Sequence, residues 1–254
     1  EKQDRIALKR LKDYVHQHSH NVCILYLIVS TACNLACRYC FLDNNPDTVR
    51  TCSAISYSDA KRVVSCFFAQ IDWSDAIEPQ LIVYGGEPLT NRDVVLDILK
   101  YARMKCPKAK LTLITNGTLL DEEVAKCIHD NDVGVGVSID GPKKINDVNR
   151  IYKDSPAKSV YDVVAKKIEL LKIYECKYSI SATVTQDIID NEDEIIEWLQ
   201  TLKTSNVFWN LFHFSKPYSD WANFYEQMSN FILRSYDRLA AANIVEGRMA
   251  ELLN

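Results

Sequence analysis

The sequence predicts an α/β fold: an open (β/α)6 partial TIM barrel of parallel strands with the helices outside. Three observations carry this. Six short runs rich in Val, Ile and aromatic residues alternate with six longer runs of amphipathic spacing. The alternation is strict, which calls for parallel strands joined by crossover helices. Six units fall short of the eight that close a complete barrel. The first strand, 22–29, is the apolar run VCILYLIV, followed by a helix over 58–70 with Ser58 as its N-cap. The second strand, 81–84, leads to a helix over 92–105, and the third, 111–114, to one over 121–131, with Asp121 as N-cap and Glu123 in its first turn. Strand 133–139 precedes a helix at 159–174, strand 178–184 one at 192–203, and strand 207–212 the last, at 220–242. Three segments follow: an N-terminal helical or linker segment over 1–21, a core over 22–215, and a C-terminal helix within 216–254.

Composition sets outer bounds. The chain has 254 residues, 47% hydrophobic and 25% charged, enough material for one large core. A net charge of −4 and the absence of a basic run argue against nucleic acid as a partner. The apolar run at 22–29 is too short to span a bilayer, and the first twenty residues lack the apolar core of a signal peptide. Nine cysteines without a secretory segment point to a reducing compartment, hence a cytoplasmic protein with thiols as metal ligands or core residues. The chain opens on Glu1 and its last stretch carries no helix stop signal, so a portion of something longer is expected.

The most informative string is CNLACRYC, which places Cys33, Cys37 and Cys40 on one loop directly after the first strand. The spacing is tight enough for three thiolates to converge on one metal centre. A [4Fe–4S] cubane bound by three cysteines keeps one iron open for a small chelating molecule. A zinc knot in a non-catalytic binding module is the alternative, but zinc wants a fourth Cys or His and no second pair at zinc-like spacing follows. With Tyr39 just before the last cysteine, the string resembles the cluster-binding loop of the radical S-adenosylmethionine (radical SAM) enzymes. The resemblance implies that the amino and carboxylate groups of SAM chelate the open iron, and that reductive cleavage releases a 5′-deoxyadenosyl radical that abstracts hydrogen. It also implies the partial-barrel fold, and places Tyr39 beside the adenine.

Barrel folds of this type collect functional residues at the carboxyl ends of their strands, and the remaining motifs fall there. Gly85, Gly86, Glu87 and Pro88 match the GGEP motif, whose backbone and Glu receive the SAM amino group in the family. A plain Gly-Gly turn is the other reading. Thr115-Asn116-Gly117 resembles the family's TNG string near SAM, although Asn116 suits a simple turn equally well. Ser138-Ile139-Asp140-Gly141-Pro142 and Asn146-Asp147-Val148-Asn149-Arg150 resemble the SxDGP…HDxxR stretch of the SPASM-type subgroup. There Ser138 would contact SAM and Arg150 would face its carboxylate with a planar fork. Asn146 stands where the family has His, and Asp140 and Asp147 suit loop orientation as well as ligand contact. At the sixth strand Leu211 or Phe212 would flank the adenine, and His213 reads as structural. Cys23, Cys66, Cys106, Cys127 and Cys176 read as small core hydrophobes, and His16, His18 and His20 as a solvated linker.

The resemblance covers about residues 22–215. It is nearest to peptide- and protein-modifying SPASM enzymes that crosslink or epimerise ribosomal peptides; a sulfatase-type maturase that makes formylglycine is the second possibility. It implies a peptide or protein substrate, with a leader segment, and an electron donor such as flavodoxin or ferredoxin. It further implies auxiliary iron–sulfur clusters in a C-terminal module that begins after about residue 250. The residue that exchanges the final hydrogen is unknown from the sequence.

Overall fold

The computed structural model describes residues 23–40, 42, 52–71, 78–211 and 221–253. Seven strands form one sheet in chain order: β1 (Ile24–Ser30), β2 (Gln80–Gly85), β3 (Lys110–Thr115), β4 (Val133–Ser138), β5 (Tyr178–Thr183), β6 (Asn206–Asn210) and β7 (Val245–Glu246). Every neighbouring pair is parallel. The sheet ends at β1 and β7 and does not close on itself. The crossovers carry α1 (Tyr57–Ala69), α2 (Arg92–Lys105), α3 (Glu122–Asp130), α4 (Lys143–Asn149), α5 (Val160–Ile173), α6 (Gln186–Asp190), α7 (Glu192–Leu202) and α8 (Trp221–Ala241), and α9 (Gly247–Leu253) follows β7.

The period-two alternation of strand side chains divides the sheet. One face presents Leu27, Val29, Leu81, Val83, Leu111, Leu113, Val135, Val137, Ile180 and Trp209, all buried with the apolar helix residues in one core. The other face holds Tyr26, Ile28 and Tyr84 on the β1 side, each roughly half exposed, and Gly136, Ser138, Ser181, Thr183 and Asn210 on the β4–β6 side. The register aligns Ile28 with Tyr84 and Ser138 with Ser181. This open inner face and the loops at its carboxyl edge are where the motif residues gather.

The expected elements are present, with four differences. Helix α1 is capped by Ser56, whose hydroxyl accepts from the Asp59 N–H at 3.1 Å, and not by Ser58. The short helices α4 and α6 were not expected; α4 is KKINDVN, poor in strong helix formers, and is fixed by what its Asn and Asp side chains hold. The helical pattern over 221–254 breaks at Asn243, which takes a left-handed backbone (φ 57°) and lets β7 join the sheet. A two-residue strand lies below any readable periodicity, and the sheet continues past residue 215. Finally, Cys66 is exposed and Cys23 half-buried, whereas Cys106, Cys127 and Cys176 are buried as expected. Residues 1–21, with His16, His18 and His20, and also Phe212 and His213, lie outside the described residues. Among the described residues no helix is long and apolar enough to cross a membrane.

Candidate functional site

The cysteine loop leaves β1 and is strapped to the segment that follows α4. The Ala36 N–H donates to the Ile151 carbonyl (2.7 Å), the Arg38 N–H to that of Asn149 (2.9 Å), and the Lys153 N–H to that of Asn34 (3.1 Å). Leu35, fully buried, bridges Tyr152 in the same strap. Cys33, Cys37 and Cys40 emerge half-buried, none of them in a disulfide. The Cys33 sulfur accepts from the Leu35 N–H at 3.4 Å and from Asn116 Nδ2 at 3.8 Å. Burial pushes the Cys37 thiol up to about 12, with the Arg150 guanidinium pulling the other way. A thiol so placed ionises when a metal takes its proton's place.

Among the described residues no three His, Cys, Asp or Glu side chains gather tightly enough for a single metal ion. A cubane makes a different demand, because each thiolate binds a separate iron and the sulfurs surround a cluster and not a point. Three thiols outside any disulfide on one backbone-strapped loop, each half-buried, fit that group.

The Gly-Gly turn is where β2 meets this loop. The Gly86 N–H donates to the Ser30 carbonyl (2.9 Å) and the Glu87 N–H to that of Ala32 (2.7 Å). A Cβ on Gly86 would lie 2.5 Å from the Ala32 oxygen and 2.6 Å from that of Thr31, so only glycine allows the two backbones this approach. Glu87 is completely buried. Its Oε1 accepts from the Thr115 hydroxyl (2.7 Å) and the Leu89 N–H (3.0 Å), its Oε2 from the Asn116 N–H (2.7 Å). Desolvation raises its pKa and these bonds oppose the rise. The side chain thus ties the β2 turn to the β3 turn, and both oxygens face inward. Glu87→Gln must turn an amide NH2 toward either the Leu89 or the Asn116 N–H. We expect it to lower unfolding free energy by about 1–3 kcal/mol in denaturant titration; wild-type stability would show that Glu87 does not hold the two turns together.

Asn116 closes the next link. Its Nδ2 donates to Asn34 Oδ1 (2.9 Å) while its Oδ1 accepts from the Thr118 N–H (3.0 Å) and hydroxyl (2.7 Å). Asn34 Nδ2 donates in turn to the Thr118 hydroxyl (2.8 Å). Asn116 therefore orients the cysteine loop as well as its own turn.

Arg150 and Asp140 form a buried bidentate pair, Nε to Oδ2 and Nη2 to Oδ1, both 2.9 Å. Asp140 Oδ1 also accepts from the Thr183 N–H (3.0 Å), and Oδ2 from the Tyr39 hydroxyl. The Arg150 guanidinium lies 5.5 Å from the Tyr39 ring centre. Burial holds the Tyr39 phenol well above its usual pKa, so it is a neutral donor. Arg150 is buried, and among the described residues its Nη1 alone has no hydrogen-bond partner. Asn146, in the position of the family's His, accepts from the Asp140 N–H (3.1 Å). Asp147 faces away and holds the start of α5 through the Ser159 hydroxyl (2.6 Å) and the Tyr161 N–H (2.8 Å).

Ser138 sits at the end of β4, half-buried, with a hydroxyl unpartnered among the described residues. Leu211 follows β6 and is 45% exposed. Tyr84, directly before the glycines, was missed by the sequence reading. Its ring is half exposed on the inner face, and its phenol is raised by burial and by the neighbouring Cys40. The signal available was its alternation with buried Val83.

A family model described as the Radical SAM superfamily matches residues 27–202. The chain belongs to the radical SAM superfamily. Its relatives include an uncharacterised protein of Methanocaldococcus jannaschii, 29% identical over 189 residues, covering 74% of this chain and 62% of that protein. A cysteine-type anaerobic sulfatase-maturating enzyme of Clostridium perfringens is 30% identical over 186 residues, covering 67% of this chain and 46% of the enzyme. The chain thus spans about half to three-fifths of these relatives. Among solved structures, anSMEcpe with bound AdoMet superposes with a TM-score of 0.71 at 23% identity, covering 88% of this chain and 60% of that one. Streptococcus suis SuiB bound to its precursor peptide SuiA superposes at 0.62 and 18% identity, covering 88% and 49%. These superpositions show the partial-barrel fold of the superfamily.

Proposed function

We propose that the chain is the catalytic core of a radical SAM enzyme that modifies a peptide, with a ribosomally made peptide as substrate. The observation that carries this is the meeting of four strand-end motifs in two hydrogen-bonded sets joined by the cysteine loop: Glu87 to Asn116 and Asn116 to Cys33 and Asn34, then Asp140 to Arg150, Tyr39 and Thr183. Cys33, Cys37 and Cys40 would hold a [4Fe–4S] cluster. One-electron cleavage of the SAM sulfonium to a 5′-deoxyadenosyl radical is the chemistry that cluster supplies when bound.

The chain's own residues bind and orient SAM. Ser138 Oγ and Arg150 Nη1 receive its carboxylate, two donors at the ends of adjacent elements. Asp140 fixes the guanidinium from behind and keeps it charged, because a buried carboxylate at 2.9 Å stabilises the cation. The carbonyls of the Gly85-Gly86 turn accept from the SAM ammonium, and Glu87 holds that turn in place. Tyr39 and Leu211 flank the adenine. The low-potential electron comes from a flavodoxin- or ferredoxin-type donor in a reducing, cytoplasmic setting. Peptide modification is favoured by the AdoMet-bound and peptide-bound relatives. A sulfatase-type maturase is the second reading, favoured by the 30% identity to the Clostridium perfringens enzyme.

The test is anaerobic. Protein reconstituted with iron and sulfide, reduced by dithionite and given SAM should release 5′-deoxyadenosine, read by mass spectrometry. Protein that binds zinc instead and leaves SAM intact would refute the proposal.

A further inference from the structure

One side chain at the carboxyl edge of the sheet has no part in the SAM site described above. Arg248 lies in the first turn of α9, just past β7, and is exposed. Its Nη2 donates to Asn210 Oδ1 (2.7 Å). Asn210 closes β6, and its Nδ2 donates to the Ser181 hydroxyl of β5 (2.7 Å). Ser181 is the register partner of Ser138. A line of polar side chains thus crosses from the end of β7 to the edge of the proposed SAM site.

The base of this arginine is rigid. Glu246, fully buried, accepts from the Trp209 N–H (3.1 Å) with Oε1 and from the Met249 N–H (2.7 Å) with Oε2, clamping β6 and the first turn of α9 together. Gly247 lies so close to Phe208 that a Cβ would come 2.2 Å from the ring. The guanidinium itself, in contrast, has only the neutral Asn210 oxygen as hydrogen-bond partner among the described residues. Arg62, Arg92, Arg150, Arg234 and Arg238 each hold a carboxylate, and Arg103 holds backbone carbonyls. A planar fork fixed at its backbone, exposed at the functional edge and without an anion suits an external carboxylate.

We infer that Arg248, backed by Asn210 and Ser181, binds an acidic side chain of the peptide substrate and so sets which stretch of peptide reaches SAM. This rests on the peptide-modifying reading above. Neighbouring parallel strands lie about 4.8 Å apart, so three spacings separate β7 from β4 by about 14 Å, the reach of roughly four extended residues. The recognised acid is therefore a near neighbour of the reacting residue and not that residue itself.

The test is a selection of random short peptides by display, run anaerobically against cluster-loaded wild-type and Arg248→Glu proteins with SAM present. Wild type should enrich Asp or Glu at one position. Arg248→Glu should lose that enrichment by about tenfold or more and favour Lys or Arg there, and Arg248→Lys should retain part of it. An acidic preference that survives in Arg248→Glu, or no acidic enrichment by wild type, overturns the inference. SAM titrations into both proteins separate the other source of a carboxylate: weaker SAM binding in Arg248→Glu with unchanged peptide selection assigns the arginine to SAM and overturns the inference too. Wild-type protein that forms 5′-deoxyadenosine yet selects no acidic peptide removes this inference alone. Wild-type protein that leaves SAM intact removes the proposed function with it.

Discussion

Cys37→Ala is expected to hold no stable four-iron cluster after reconstitution and to release no 5′-deoxyadenosine. Cys37 is the middle of the three thiols and the one placed against the Asp140–Arg150 pair. Partners of metal ligands are by themselves worth about 10–100-fold in metal affinity or activity, and loss of a ligand exceeds that range. Iron and acid-labile sulfide analysis gives a readout independent of turnover. Full iron loading in Cys37→Ala would show that another residue completes the ligand set. Circular dichroism should show the fold retained, since the loop is strapped by backbone bonds of Ala36, Arg38 and Lys153 that the substitution leaves intact.

Asp140→Ala is expected to be the most destabilising substitution in the site. It strands the buried Arg150 cation and also removes the acceptor of the Tyr39 hydroxyl and the Thr183 N–H. Breaking a buried pair by deleting one partner costs about 3–5 kcal/mol, because the remaining charge stays in a poorly polarisable site. The double variant Asp140→Ala/Arg150→Met should recover part of this, since no charge is left behind. Denaturant titration measures both. A single variant within about 0.5 kcal/mol of wild type would mean that water reaches Arg150 and the pair is not a buried one. The double variant should still lose SAM binding, because the donor proposed for the SAM carboxylate is gone.

The two results separate two layers of the site. In the proposed function the thiols hold the redox cluster, and the Asp140–Arg150–Tyr39 set carries position. Glu87 belongs to the second layer. The motif matching read it as a contact for the SAM amine, yet its carboxylate is turned inward and tied to Thr115, Leu89 and Asn116. Asn146 shows the same logic. It stands where the family has His and still supplies the acceptor for the Asp140 N–H, so the position asks for an acceptor and not for an imidazole.

The sequence by itself determined the alternation of strands and helices, and with it the parallel open sheet. Local spacing is enough for that, because a period of two or of 3.6 is written in consecutive residues. It also determined the three thiols and the strand-end strings, whose chemistry depends on residue type at short range. Only the tertiary structure decided which polar groups those strings offer outward. Asp140 and Arg150 are ten positions apart, Tyr39 and Asp140 more than a hundred, and Glu87 and Asn116 twenty-nine. A buried polar group takes whatever partner the fold brings within hydrogen-bond reach, and no periodicity announces that partner. The same holds for Arg248, which reads as one more helix residue until a two-residue strand delivers it to the carboxyl edge of the sheet.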